Sequence, residues 1–389
     1  MEQKLNMEKY ADKYFLRTKE ILQKEELNPM VRAQVFVRKG PGIVGGIEES
    51  ISLLEKESDF FENGGKVFAL NDGDTYQSNE SVMVLEGKIQ DFVTFETQYL
   101  GIITKATTLA SGDADINLKS IEKQSKKIVD LAKGRPVAYF GARHWDYRND
   151  FEITKAALKG GMTAASTDEG ASSFDQEGMG TIPHALENIF AWKYGKENVV
   201  AKSTKAFDKH MPANISRIAL IDYSNKEITD SIETAKALDG NLAAVRVDTC
   251  GENTFEKEMN PEILARIQDK KGIDTTNKYW TGTGVTISGV YTLRKELDNA
   301  GFSDIKIILT SGFGDEKKVE AFNEAEEVLG VKLYDSLGVG GVYKSRSATM
   351  DIVAVGDTID SLVPMSKVGR SYKPNSRLQE KKLEQYILN

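Results

Sequence analysis

The segment Ile305–Gly312, IKIILTSG, is a short apolar run that stops at a serine and a glycine. Runs of the same kind recur as PVAYFG from residue 136, TAAS from 163, IALID from 218, LAAVRVD from 242 and KLYDSLGVG from 332, with helical patterns between them. Strand alternating with helix implies parallel βαβ units. Six such runs predict a closed or nearly closed, irregular parallel α/β barrel, with a doubly wound open sheet as the structural alternative.

Before about residue 113 the texture differs. Residues 5–26 carry an amphipathic helical period, VRAQVFVRKGPG alternates up to Val37 and then enters a basic turn, VMVLEGKIQ reads as a strand, and FVTFETQYLGIITKATTLA as a largely buried helix. The expected organisation is therefore an N-terminal α+β domain over 1–112 and a barrel over 113–349. The stretch Gly251–Gly284, charged and punctuated by glycine, reads as an excursion at the barrel rim. Its YWTGTGV is either a lid or a surface loop, and the surface loop is the expectation.

The totals bound the function. A chain of 389 residues with 40 % hydrophobic and 28 % charged residues is globular in composition. Its net charge of −8, with no long run of one sign, excludes a broad grip on nucleic acid, so any anion is held locally. The single Cys250 excludes an internal disulfide and a multi-cysteine zinc site, which suits a reducing cytoplasm. The N-terminus mixes acids and bases without a signal-peptide core, and no apolar stretch is long enough for a membrane span. A cytosolic protein acting on small molecules is expected.

Each apolar run of the second half ends in residues able to hold something polar. They are Phe140 and Arg143, Ser166 and Asp168, Asp222, Arg246 and Asp248, Ser311 and Gly312, and Gly338, Gly340 and Gly341. Barrels of this class build their sites at the C-terminal ends of the strands, and phosphates commonly sit after the last two. Glycine there lets backbone N–H groups approach phosphate oxygens at a helix N-terminus. Taken singly, an Asp or Ser after a strand also reads as the N-cap of the next helix. Asp222 and Asp248 are candidates for sugar hydroxyls or a hydrated Mg²⁺. Arg38 and Lys39, in VRKGPG, read on their own as a solvated basic hairpin. His184 is one of three histidines and stands in GMGTIPHAL, behind a glycine-rich turn and at a helix start.

Taken in order, DKYF, FVRKGPG, LEGKIQDFVTFETQYLGII, FGAR, GTIPHAL, LID, VRVDT, TSGFGDE and LGVGG resemble the motifs of nicotinate phosphoribosyltransferases, most closely the compact type of archaea and some bacteria. The resemblance runs from about residue 10 to 370. It implies a type II phosphoribosyltransferase fold whose N-terminal domain is completed by about 350–389. It also implies synthesis of nicotinate mononucleotide and pyrophosphate from nicotinate and phosphoribosyl pyrophosphate, in NAD salvage. ATP hydrolysis would be coupled through a phosphohistidine, at His184. By the same resemblance Phe140 and Tyr14, the latter from a neighbouring subunit of a homodimer or higher oligomer, stack on the pyridine ring. Arg143 pairs with the carboxylate, with Ser166 and Asp168 beside the ring. Asp222, Asp248 and Arg246 serve ribose, catalysis or Mg²⁺. Ser311, Gly312, Gly338, Gly340 and Gly341 hold the 5′-phosphate, and Arg38 with Lys39 the pyrophosphate.

The chain departs from the pattern at Arg143-His144, where two arginines are frequent, and at Thr167-Asp168, where many members have Ser-Asn and nicotinamide-using relatives have an acid. It departs also at Asp222-Tyr223, at Phe313 in place of a second glycine, and in lacking a zinc-ribbon tail, so no zinc is expected. Nicotinamide or quinolinate as substrate, and a non-catalytic pyridine-nucleotide-binding relative, are the alternatives.

Overall fold

The computed structural model describes residues 6–381; residues 1–5 and 382–389, the outermost parts of the expected N-terminal domain, lie outside the described residues. The first half runs α1 (Lys13–Lys24), β1 (Met30–Val37), β2 (Gly42–Ile43), α2 (Ile47–Glu57), β3 (Lys66–Ala69), β4 (Thr75–Tyr76), β5 (Ser81–Lys88), α3 (Ile89–Phe92) and α4 (Glu96–Ala110). Then follow α5 (Leu118–Leu131), β6 (Val137–Tyr139), α6 (Asp150–Lys159), β7 (Ala164–Ala165), α7 (Asp168–Ser172), α8 (His184–Tyr194) and α9 (Val199–His210). The barrel continues with β8 (Arg217–Leu220), α10 (Glu227–Ala237), β9 (Leu242–Val247), α11 (Pro261–Lys271), α12 (Ile287–Asn299), β10 (Lys306–Leu309), α13 (Glu316–Leu329) and β11 (Ser336–Val339). The chain returns through β12 (Ala348–Gly356), β13 (Val363–Pro364) and β14 (Gln379–Glu380).

Two six-stranded sheets result. One has the order β13-β12-β1-β5-β3-β14 and draws strands from both ends of the chain. In it β1 is antiparallel to both β5 and β12. That double pairing places β1 inside its sheet, and from Ala33 to Val37 every successive side chain is buried, so both faces of the strand are covered there and not only one. The other sheet is parallel, in the order β7-β6-β11-β10-β9-β8. Its outer strands β7 and β8 are consecutive in sequence, as a curled sheet requires and a doubly wound one does not. They do not pair. The Gly178–Ile182 segment spans the seam instead: the Met179 amide donates to the Ala165 carbonyl (2.8 Å) and the Thr181 hydroxyl to the Ile218 carbonyl (3.0 Å). The sheet is thus a half-barrel whose last gap is filled by irregular chain carrying the residues just before His184.

Two elements differ from expectation. The helix expected over 5–26 is broken at Ala11-Asp12, leaving a 3₁₀ turn (Met7–Tyr10) before α1. The reason is tertiary: the Asp12 amide donates to the Thr97 hydroxyl (2.9 Å) and its carboxylate accepts from the same group (3.1 Å), which holds Asp12 extended. The excursion after β9 is not a surface loop either. A Thr254–Thr283 bridge ties its ends, α11 lies within it, and Tyr279 and Trp280 are buried. Burying those two rings stabilises the packed form. Among the described residues no helix is long and apolar enough to cross a membrane.

Candidate active site

The strand ends of the parallel sheet open into one cavity of about 540 Å³, a size that suits a nucleotide. Phe140, Arg143, His184, Arg246, Asp248, Ser311, Gly312, Gly338, Gly340 and Gly341 line it, together with Tyr14 and Arg38 from the first half of the chain. His184 therefore shares a pocket with both glycine turns.

At one end Phe140 lies over the start of the Gly338–Gly341 turn. A Cβ at Gly338 would stand 2.6 Å from the Phe140 ring, so only glycine permits this packing. Arg143 is enclosed by protein acceptors: its Nη1 bonds the Tyr14 hydroxyl and lies 3.5 Å from Asp12 and 3.7 Å from Glu96. Burial pushes the Glu96 carboxyl up to about 8 even beside that guanidinium, so it is protonated at neutral pH. Tyr14, in the first turn of α1 just after the break at Asp12, lines the cavity of its own chain. His144 lies behind the turn, with Nδ1 3.1 Å from the Gly340 carbonyl. Burial, then Arg143, hold it at about 4, so a neutral imidazole donates Nδ1–H to that carbonyl.

His184 is the first residue of α8, behind Pro183, with 26 % of its side chain exposed. Its Nε2 lies 3.0 Å from Asp222 Oδ1, and burial lowers the imidazole below its ordinary range, so Nε2–H donates and Nδ1 keeps its lone pair. Asp222 is fully buried behind His184 and its other oxygen is bonded by Lys367. Although burial opposes ionisation, the Lys367 ammonium holds Asp222 well below the usual carboxylate range. The expectation that Asp222 faces ribose or metal is corrected: it does not line the cavity, and its two oxygens are bonded by His184 and Lys367. Arg246 donates to the Ile182 carbonyl (2.9 Å), tying β9 to the seam. Asp248 accepts from the Thr310 hydroxyl (2.7 Å) and lines the cavity.

At the other end Ser311 and Gly312 are both left-handed, with φ of +65° and +89°. Such a pair turns successive backbone N–H groups to one side, a ready anion cradle. Arg38 bonds Thr349 (3.1 Å) and lies with Arg370 near Glu252, whereas its neighbour Lys39 points outward to Asp113 (3.1 Å) and does not line the cavity. The pairing of the two as a pyrophosphate clamp is corrected, since neighbours at a strand end project to opposite sides. Ser166 and Asp168 are also outside the cavity lining. The Ser166 side chain is buried, and Asp168 forms an ion pair with Lys13 (2.7 Å) and accepts from the Gly178 amide (2.9 Å), which braces the seam.

Several lining residues carried no signal strong enough to single them out. Lys367 and Arg370 come from the return after β13, far in sequence from every strand of the parallel sheet. Asp12 and Glu96 stand inside quoted motifs, but nothing local shows that they converge on Arg143. No group of three or more His, Cys, Asp or Glu able to cage a metal exists among the described residues. Asp248 lines the cavity alongside the carboxyl groups of Asp12, Glu96, Asp315 and Asp351.

The half-barrel completed by a sheet built from both chain ends is the type II phosphoribosyltransferase fold. Nicotinate phosphoribosyltransferase structures share it: one from Porphyromonas gingivalis has a TM-score of 0.61 at 13 % identity, covering 98 % of this chain and 97 % of that one. One from Vibrio cholerae has a TM-score of 0.63 at 11 % identity, covering 94 % and 89 %. Residues 12–107 match the profile of the quinolinate phosphoribosyl transferase N-terminal domain. By sequence the chain is 25 % identical over 190 residues to nicotinate phosphoribosyltransferase pncB1 of Mycobacterium tuberculosis, which covers 49 % of this chain. That match spans 39 % of the relative's length. The resemblance carried by the sequence motifs thus recurs in sequence and in fold, and these relatives are enzymes.

Proposed function

We propose that the chain is a nicotinate phosphoribosyltransferase, forming nicotinate mononucleotide and pyrophosphate from nicotinate and phosphoribosyl pyrophosphate, with ATP hydrolysis coupled through His184, in NAD salvage. One observation carries this reading: an imidazole oriented by Asp222 shares a single cavity with an aromatic-and-arginine end and an end of left-handed backbone turns.

The pyridine nitrogen has no proton to lose, so the protein needs no general base. Its task is to position that nitrogen and to neutralise the leaving pyrophosphate as C1 of ribose becomes oxocarbenium-like. Phe140 and Tyr14 offer flat faces to the ring, and Arg143 a fork to its carboxylate. Asp248 holds ribose hydroxyls, while Arg38 and Arg370 meet the pyrophosphate and Lys367 keeps Asp222 ionised behind His184. Mg²⁺, held by Asp248 together with phosphate oxygens, would supply further charge neutralisation. In the coupled step the Nδ1 lone pair of His184 takes the terminal phosphoryl group of ATP: a P–N bond forms and the bond to the ADP oxygen breaks. A homo-oligomer in the cytoplasm is part of the same proposal.

A second reading has support of its own. With the Asp12 carboxylate already beside Arg143, an uncharged ring substituent would meet less repulsion than a carboxylate, which favours nicotinamide. Mononucleotide formation from each base, with and without ATP, tests both. Nicotinate turnover stimulated by ATP supports the first, preference for nicotinamide the second, and no pyrophosphate release from either overturns both.

A further inference from the structure

Lys318 lies in the first turn of α13, directly behind the Ser311–Gly312 turn. Its ammonium donates to the Ser311 carbonyl (3.0 Å), stands 3.6 Å from where a Gly312 side chain would begin, and lies 4.5 Å from the centre of the Phe313 ring. Phe313 is itself fixed edge-on against Phe322, 5.1 Å between ring centres. Lys318 takes part in no ion pair among the described residues. The acids that face it are otherwise engaged: Asp315 accepts from the Tyr279 hydroxyl and the Lys317 amide, and Asp248 from Thr310. The other charge nearby is Lys278, a like charge. Burial pushes the Lys318 ammonium down to about 8. A half-buried cation with one carbonyl and one ring for company is a charge waiting for an anion.

We propose that Lys318 is a positioning residue for a phosphomonoester: bonded to the Ser311 carbonyl and stacked on Phe313, it holds the left-handed turn in shape and sets a positive charge behind the backbone amides that receive the phosphate. This rests on the phosphoribosyl reading of the same cavity. Phe313, where a second glycine was expected, supplies the ring that keeps the ammonium against the turn.

Ribose 5-phosphate is the probe, titrated by calorimetry against the full chain, and it is dianionic throughout pH 7–9. Replacing Lys318 by Met keeps the stem and removes the charge. The expected result at pH 7 is about a tenfold weaker Kd for ribose 5-phosphate, with a matching rise in KM for phosphoribosyl pyrophosphate and a smaller change in kcat. In the unaltered chain affinity falls as the pH rises through about 8, because the ammonium loses its proton; in Lys318→Met that fall is absent because no charge is left to titrate, and in Lys318→Arg it is absent because a guanidinium stays protonated, with affinity held near the pH 7 value of the parent. Equal Kd values and equal pH dependence in the parent and in Lys318→Met overturn the proposal. If Lys318→Met does not fold, Phe313→Leu serves instead, with a two- to threefold loss of affinity expected on the order of a cation–π contact, and no loss overturning it. Failure of the unaltered chain to bind ribose 5-phosphate at all would sink the phosphoribosyl reading itself.

Discussion

The two ends of the cavity handle charge in opposite ways. Around Arg143 the protein supplies its own acceptors, Tyr14, Asp12 and Glu96, so that end is electrostatically complete without a ligand. Around Ser311 and Gly312 the acids that face Lys318, Asp315 and Asp248, accept from other groups, and Lys318 takes part in no ion pair among the described residues. The difference teaches where affinity and selectivity come from. A completed site discriminates by small differences in charge and shape, while an incomplete one gains most of its energy when the anion arrives.

Removing the group between the two ends gives the largest effect. His184→Ala should abolish ATP-stimulated turnover, a loss on the order of a hundredfold or more in the coupled rate, and leave a slow ATP-independent reaction. A variant whose rate still rises with ATP would break the assignment of the phosphoryl acceptor.

Lys367→Met comes next, because it leaves Asp222 buried with only His184 for a partner. Thermal melts at pH 7 should show a loss of about 3–5 kcal/mol. The sign with pH follows from the depressed carboxyl. In the parent chain its contribution is present above the ordinary carboxylate value of about 4 and disappears as the pH falls towards the lower folded value. In Lys367→Met burial prevails, the folded value rises, and the contribution is already lost near neutrality. Equal stability of the two chains from pH 4 to 7 would show that Lys367 does not hold Asp222.

Glu96 sharpens the comparison at the ring end. Neutral below about 8, it adds a second negative charge beside Arg143 above that pH. The KM for nicotinate should therefore rise a few-fold from pH 7 to 9, about 1 kcal/mol, while that for nicotinamide changes less. Glu96→Gln should flatten the first curve. Because burial raises the folded value above the unfolded one, Glu96 also withdraws stability as the pH climbs between them, and the Gln variant should melt higher at pH 9.

The smallest effect is expected at Asp168. It pairs with partly exposed Lys13 outside the cavity, so Asp168→Asn should cost under about 1 kcal/mol of stability. The ratio of kcat/KM for the two bases should stay within about twofold. A large shift in that ratio would bring Asp168 back to the ring and undo the placement.

The residues that were legible from sequence are those whose role is local. IKIILTSG and KLYDSLGVG declare a strand followed by a turn, and Ser311, Gly312, Gly338 and Gly340 stand where such turns must. Arg38 and Lys39 were equally basic and adjacent, and only one faces the cavity. Asp222 and Asp168 both follow short strands, yet one is buried under Lys367 and the other is taken by Lys13. Sequence position cannot separate these cases, because the deciding partner lies 145 or 155 residues away.

By itself the sequence determined the alternation of strand and helix, the glycine turns after the last strands of the parallel sheet, and the scarcity of imidazole that singles out His184. These follow from hydrophobic period and backbone freedom, which act over a few residues. The tertiary structure alone decided that the sheet closes through Gly178–Ile182, that Tyr14 lines the cavity of its own chain, and that Lys367 and Lys318 stand behind the groups they support. Those outcomes depend on burial and charge pairing between distant segments, energies that exist only once the chain has brought them together.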